Sequence, residues 1–164
     1  MKQHAFSQVT SRMLLLAAAI MFGTASDCEK PPPTPSVNST MTANIDARSW
    51  SATTSIIGSY SNGALSLTGV SNDGVKITIS ALPTGPGDYV IEGVGGAGLS
   101  FLLAEQPPPQ TWQAYALFGS GTLHLSVLSS TRAAGTFTFT ALATINTGAS
   151  GTKVVTNGNF DVMF

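Results

Sequence analysis

Apolar and polar residues alternate along most of the chain after residue 40, in short runs separated by glycine, asparagine and proline. A period of two is typical of strands with one buried face, and no segment has the spacing of an amphipathic helix. The pattern predicts strands over residues 41–46, 50–60, 64–71, 75–82, 88–92, 99–104, 111–118, 122–129, 135–145 and 153–164. We therefore predict an all-β fold, a single antiparallel sandwich or barrel of about 8–10 strands.

The segment LSLTGVSNDGVKITISAL predicts a β-hairpin whose register is set by its apolar residues. A three-residue loop over residues 72–74 pairs Leu67 with Ile79 and collects the apolar side chains on one face. A two-residue turn would instead pair Thr68 with Ile79 and divide those side chains between two faces. The longer loop also gives Gly74 the left-handed position that such loops need. The side chains that we predict to point inward are Leu65, Leu67, Val75, Ile77 and Ile79.

The last strands of the chain also have clear inward faces. In GTFTFTA the phenylalanines alternate with threonines, which predicts that Phe137 and Phe139 point inward. The closing segment places Phe160 and Phe164 on one face, and we expect a turn at residues 157–158 to lead into it. The chain is therefore predicted to end as a strand of the sheet.

Residues 1–27 have the layout of a secretory signal peptide. Lys2 and Arg12 precede an uninterrupted apolar run over residues 13–22, and small residues follow this run. A run of about ten residues is roughly half of what a helix needs to cross a bilayer core. We therefore do not expect a permanent transmembrane helix here.

Cys28 is the only cysteine of the chain and directly follows this signal. The sequence ASDC resembles the lipobox of bacterial lipoproteins, in which the cysteine carries a diacylglycerol and becomes the new N-terminus. Ala25 and Asp27 depart from the residues that are usual there. The alternative is ordinary cleavage after Ala25 or Ser26, which would leave Cys28 as a free thiol. We predict lipidation, because the position of this lone cysteine would otherwise be a coincidence.

The chain after the signal divides into a spacer and one domain. Residues 28–40 contain four prolines and almost nothing to bury, which predicts a semi-rigid spacer of about 35 Å. Residues 41–164 form the predicted β domain, which is long enough for a single core without disulfides or a metal. From residue 28 onward there are five basic and seven acidic residues, and the basic ones are not clustered. A nucleic acid is therefore not an expected partner.

The sequence offers few groups for catalysis or metal binding. His124 is the one histidine after the signal, and in TLHLSV we expect it to point outward. No G-x-S-x-G nucleophile motif occurs, and a single histidine is too few for a transition-metal site. Asp88 and Glu92 would lie about 13 Å apart on a strand, which exceeds the usual separation of glycosidase carboxyl pairs. We predict no catalytic residues, no metal and no cofactor.

Two side chains are candidates for an external contact. On the predicted strand over residues 111–118, alternation places Trp112 and Phe118 inward and Tyr115 outward. Tyr115 and His124 are therefore the candidate binding residues, since amphipathic rings suit contacts at a surface. The preceding segment EQPPPQTW predicts an exposed polyproline loop.

Four segments carry a resemblance to known proteins: MTANIDARSWSA, LTGVSNDGVKITI, GTFTFTA and VTNGNFDVMF. Together they resemble a family of uncharacterised lipoprotein domains, domains of unknown function that are found mainly in Bacteroidetes. The resemblance spans most of residues 41–164. It implies an exported, usually lipid-anchored β domain, and it brings neither a known activity nor catalytic residues.

We predict a non-enzymatic domain that Cys28 anchors to the outer membrane of the bacterial cell envelope, facing the periplasm or the surface. Its role would be structural, or it would bind an envelope protein or glycan. Two alternatives stay open. A carrier of a small apolar ligand would need a closed barrel with an unfilled interior. A glycan-acting hydrolase would need carboxylates that meet in space, from among Asp88, Glu92, Glu105 and Asp161.

Overall fold

The computed structural model describes residues 38–91 and 98–164. These residues form eleven strands in antiparallel pairs, which confirms the prediction of an all-β antiparallel fold. Within these two ranges there is no α-helix, and hence none that could cross a bilayer. The strands are β1 (Thr40–Ile45), β2 (Arg48–Ser51), β3 (Ser55–Ser61), β4 (Ala64–Val70), β5 (Lys76–Ala81), β6 (Gly87–Val90), β7 (Ser100–Glu105), β8 (Gln110–Ala114), β9 (Ser120–Leu128), β10 (Arg132–Ala143) and β11 (Thr152–Met163).

The strands form one sheet with the hydrogen-bonded order β2-β1-β11-β10-β8-β7-β5-β4-β3. Strand β10 pairs with β11 along one of its edges. Along its other edge β10 has two partners: β9 pairs with residues 133–140 and β8 with residues 142–143. β9 in turn pairs with the short strand β6. The sheet curls into a half-barrel, which brings Gly58 of β3 against Val162 of β11 and against Phe164, the residue that follows β11.

The inward faces of the strands meet in a core of aromatic and aliphatic side chains. The rings of Phe101 and Phe139 stack with their centroids 4.6 Å apart. Phe137 lies 6.3 Å from each of Phe101, Phe139 and Phe160. All four rings are buried, and Phe164 packs half-buried against the core. The predicted inward faces of the last strands are therefore confirmed.

The β4–β5 hairpin has the register that its apolar residues predict. Leu67 lies opposite Ile79, and the N–H of Ser71 donates to Val75 O at 3.0 Å, which leaves three residues in the loop. Gly74 has a φ of 80°, in the left-handed region predicted for it. Four of the five side chains predicted to point inward are buried, and Val75 is half-buried at the end of the core.

The predicted strand over residues 50–60 is divided into two strands. β2 ends at Ser51 and β3 begins at Ser55. Between them the N–H groups of Thr53 and Thr54 both donate to Val70 O, at 3.1 and 3.0 Å. The chain therefore crosses from β1 to β4 at this point. The change of partner depends on the distant strands β1 and β4, which the sequence of residues 50–60 does not identify.

The turn predicted at residues 157–158 is wrong. Both residues lie inside β11, where its register changes against β1 and β10. Asn157 has a φ of 52°, and a Cβ added to Gly158 would lie 2.4 Å from Phe137 O. The two residues form a β-bulge, since the left-handed φ and the missing Cβ that suit a turn also suit a bulge.

The predicted strand over residues 111–118 ends early. β8 stops at Ala114, and Tyr115 and Phe118 exchange two backbone hydrogen bonds of 2.8 and 2.7 Å around a tight turn. The turn exposes Phe118, so the prediction that it points inward is wrong. Trp112 is buried and Tyr115 faces outward, as predicted.

The segment EQPPPQTW contains an exposed loop, as predicted, but this loop is a hairpin turn and the predicted polyproline conformation is wrong. Glu105 at the end of β7 lies opposite Gln110 at the start of β8. Residues 106–109 connect these two strands and are exposed. Pairing of the flanking strands brings the ends of this segment together, so its prolines have to turn and do not extend.

Candidate functional site

The direction of β1 defines two ends of the sheet. At the proximal end, where the chain enters β1, the N–H of Met163 donates to Ser39 Oγ at 3.0 Å. At the distal end lie the β1–β2 turn (residues 46–47), the β4–β5 loop (71–75) and the β7–β8 turn (106–109). These three connections surround a groove, which we call the distal groove.

The distal groove is a polar hollow of about 480 Å³. Ile45, Trp50 and Val75 contribute apolar surface to it, and the remaining lining is polar and mostly charged. The volume is within the range of small-molecule sites, but such sites are usually more apolar. The groove therefore suits a polar ligand or a polar part of a partner. Its charged residues are Asp46, Arg48, Asp73, Glu105 and Lys153.

Asp46 forms one wall of the distal groove and is held by the backbone of β11. Asp46 and Ala47 have φ values of 47° and 66°, which are those of the two-residue hairpin turn that favours aspartate or asparagine. The N–H of Asp46 donates to Val154 O at 2.9 Å, and the N–H of Val154 donates to Asp46 Oδ1 at 3.0 Å. These bonds fix the carboxylate at the rim of the groove.

Lys153 connects two walls of the distal groove. Its Nζ lies 2.8 Å from Glu105 Oε1, 3.4 Å from Asp46 Oδ2 and 4.9 Å from the centre of the Trp112 ring. The side chain is only 21% exposed. The hydrogen bond to Glu105 is the main cause that raises the pKa of Lys153, and Asp46 adds to it. The ammonium group therefore stays charged in the groove.

The two carboxylates beside Lys153 are a close pair that sequence reasoning did not find. Because Nζ contacts both, the nearest oxygens of Asp46 and Glu105 lie within about 6 Å of each other. A glycosidase pair at that separation needs one carboxyl group that stays protonated. Here both carboxylates instead form ion pairs with the same lysine. The arrangement thus suits charge recognition better than acid catalysis.

The opposite wall of the distal groove is the β4–β5 loop. Trp50 Nε1 donates to Val75 O at 3.2 Å, which holds this loop against β2. The hydroxyl of Ser71 donates to the carboxylate of Asp73 and lowers the pKa of Asp73 below its ordinary value. Within residues 38–91 and 98–164, neither Asp73 nor Arg48 has an ion-pair partner. The groove therefore presents one charge of each sign for a ligand.

His124 lies on the outward face of β9, as predicted, and has a partner that the sequence did not indicate. Its Nδ1 lies 2.6 Å from Asp88 Oδ1 on the neighbouring strand β6. The two side chains are 52% and 80% exposed. The described residues provide no hydroxyl hydrogen-bonded to His124 that would complete a triad. The pair links the edge strand β6 to the sheet on an open surface.

The three described carboxylates among those considered for hydrolysis each pair with a different basic residue. Asp88 pairs with His124, and Glu105 pairs with Lys153. Asp161 accepts two hydrogen bonds from Arg132, from Nε at 2.8 Å and Nη2 at 2.6 Å, and these lower the pKa of Asp161. The fourth, at position 92, lies outside the described residues, as do the predicted signal over 1–27, the lipidated cysteine at 28 and the spacer up to 37.

Tyr115 belongs to an exposed cluster of large apolar side chains. Its ring centroid lies 5.1 Å from that of Phe118 in the β8–β9 turn. The cluster, which we call the apolar patch, surrounds the place where β10 changes partner from β9 to β8. It consists of four residues that line a common hollow, Tyr115, Phe118, Leu142 and Ile145, and of Leu117, which is exposed in the same β8–β9 turn.

A family model matches residues 37–162 of the chain. The family is described as Domain of unknown function (DUF6252), and the match spans more than half of the sequence. The chain belongs to this family. The DUF6252 match includes both the distal groove and the apolar patch, and its description assigns no activity to either. The curated proteins and the solved structures give no match.

Proposed function

We propose that this DUF6252 protein is an exported, lipid-anchored binding domain of the bacterial cell envelope and is not an enzyme. The observation that carries the proposal is the position of the distal groove. The groove opens at the end of the sheet opposite the end where the chain enters β1 at Thr40. A tethered domain presents its far end to partners, so a charged groove placed there favours recognition.

The tether is proposed from the sequence. Lipidated Cys28 would hold the protein at the membrane, since two acyl chains on one residue anchor a protein where a single chain is marginal. Residues 28–40 would form a spacer of about 35 Å at its full length. The domain would then stand away from the outer membrane, with the distal groove facing the periplasm or the surroundings of the cell.

The contacts of the ionisable groups support binding over catalysis. Asp88, Glu105 and Asp161 pair with three different basic residues, and Glu105 shares Lys153 with Asp46. The interior also counts against an apolar-ligand carrier, because packed rings around Phe137 fill the space between the strands. The distal groove remains, with Arg48 and Asp73 open to a ligand. We infer a ligand with charged groups of both signs.

Cys28→Ser tests the anchor. The variant is expected to move the protein from the membrane fraction to the soluble fraction, because it lacks the sulfur that carries the lipid. The β domain should stay folded, since position 28 precedes β1. Asp27→Ala serves as the matched control and should remain in membranes. Mass analysis of membrane-extracted protein decides the point, and an unmodified N-terminus at Ser26 or Asp27 would refute the anchor.

A photoreactive amino acid in place of Ser49, which is exposed in the distal groove, tests the binding role in intact cells. We expect it to capture an envelope component. The double change Arg48→Gln and Asp73→Asn should reduce this adduct about fivefold, the effect of losing about 1 kcal/mol of ionic contact. The control places the photoreactive group at Ser59, on β3 away from the groove. Equal adducts from both positions, or an adduct unaffected by the double change, would contradict the proposal.

A further inference from the structure

The apolar patch is a second surface, separate from the distal groove. Leu117 is 75% exposed, Ile145 85% and Phe118 50%, and Leu142 and Tyr115 are partly exposed beside them. Contiguous apolar surface of this kind marks an interaction site more often than a scattered exposed leucine does. None of the five residues is charged.

The presence of leucine at position 117 is not explained by the stability of the fold. Leu117 has a φ of 73° in the two-residue turn between Tyr115 and Phe118. Glycine or asparagine adopts this left-handed conformation more readily, and a bulky residue there costs about 1 kcal/mol or more. Leucine therefore gains neither from the backbone nor from burial at this position. An exposed leucine in this conformation points to a contact outside the domain.

A hollow of about 190 Å³ lies directly beside this turn. Tyr115, Phe118, Leu142 and Ile145 form its apolar lining. Thr144 also lines it, and the hydroxyl of Thr144 is buried without a hydrogen-bond partner among the described residues. A projecting leucine and an apolar hollow thus lie side by side on the same surface.

We propose that the apolar patch is the interface of a symmetric dimer of this chain, in which Leu117 of each copy enters the hollow of the other. A two-fold interface needs one surface that is complementary to itself, and a knob beside a hole satisfies that condition. Because the patch carries no charge, two copies meet without electrostatic repulsion. The inference does not depend on the ligand of the distal groove.

The position of the patch argues against the bilayer as its partner. Leu142 lies opposite Thr152 on β11, whereas the chain enters β1 opposite Asp161. These two places are about 30 Å apart along β11. A spacer that starts at the proximal end would therefore hold the patch away from the membrane of its own anchor. A second copy can approach it from the side.

Photo-crosslinking in intact cells tests the dimer with the full chain. A photoreactive amino acid in place of Ile145 is expected to give a product of twice the mass of one chain. Leu117→Asn should weaken association about tenfold or more, since burial of a leucine side chain accounts for at least that factor. Asparagine suits the left-handed turn, so thermal unfolding of this variant should stay unchanged or rise. Ile57→Thr, at an exposed apolar residue of β3 outside the patch, is the control.

Leu142→Thr provides a second variant, because threonine suits a strand and removes apolar surface from the hollow. It should reduce the dimer product while Ile57→Thr leaves it unchanged. Four results would overturn the proposal. They are a product with another protein, a product with lipid, no product from position 145, and a dimer product that persists in both patch variants.

Discussion

Gly135→Ala is expected to destabilise the β domain more than a change to alanine at any other glycine of its strands. Gly135 is buried in β10, and a Cβ there would lie 1.9 Å from His124 O of β9. The overlap is with backbone, so it cannot be relieved by rotation of a side chain. The β9 strand has a bulge at this point, where Ala134 pairs with Val127 and Gly135 with Leu125. Relief would require the two strands to separate.

We expect Gly135→Ala to lower the free energy of unfolding by at least about 3 kcal/mol, the upper end of what overpacking costs. Thermal unfolding followed by circular dichroism measures this loss, as a fall in Tm of about 10 °C or more. Gly85→Ala is the matched control, because an added Cβ at Gly85 has no atom within 4 Å. Equal Tm values for the two variants would show that β9 and β10 are not packed as described.

Local features of the fold were predictable from the sequence. The β4–β5 register follows from one apolar face, because a shift by one residue would turn Leu67 and Ile79 to opposite sides. The inward phenylalanines of β10 follow from strict alternation with threonine. Partner choice was not predictable. The division of residues 50–60 into two strands and the bulge at Asn157 both depend on pairing with distant strands. The alternation of apolar and polar residues within one segment does not identify those partners.

The candidate site was less predictable for the same reason. His124 and Tyr115 were placed on the outward face by alternation alone. The distal groove instead assembles Asp46 of the β1–β2 turn, Glu105 of β7 and Lys153 of β11, which are far apart in sequence. The one local signal was the aspartate in a two-residue hairpin turn. It indicates turn geometry, and it carries no information about which lysine will lie beside it.

Phe137→Ala is the second large effect that we expect, because Phe137 contacts more of the aromatic core than its neighbours do. Its ring lies 6.3 Å from the rings of Phe101, Phe139 and Phe160, and its side chain is 1% exposed. Truncation removes most of the ring and leaves a cavity that the flanking strands cannot close. The free energy of unfolding should fall by about 3–5 kcal/mol.

Comparison with Phe118→Ala measures the effect of burial alone, because both variants remove the same atoms from the side chain. Phe118 is 50% exposed in the β8–β9 turn, so its truncation should alter the free energy of unfolding by less than about 1 kcal/mol. Urea unfolding with a common m-value gives both numbers. A loss below about 1 kcal/mol for Phe137→Ala would mean that the interior is loosely filled. That result would restore the apolar-ligand carrier as a function, because the same space would then be open to a small molecule.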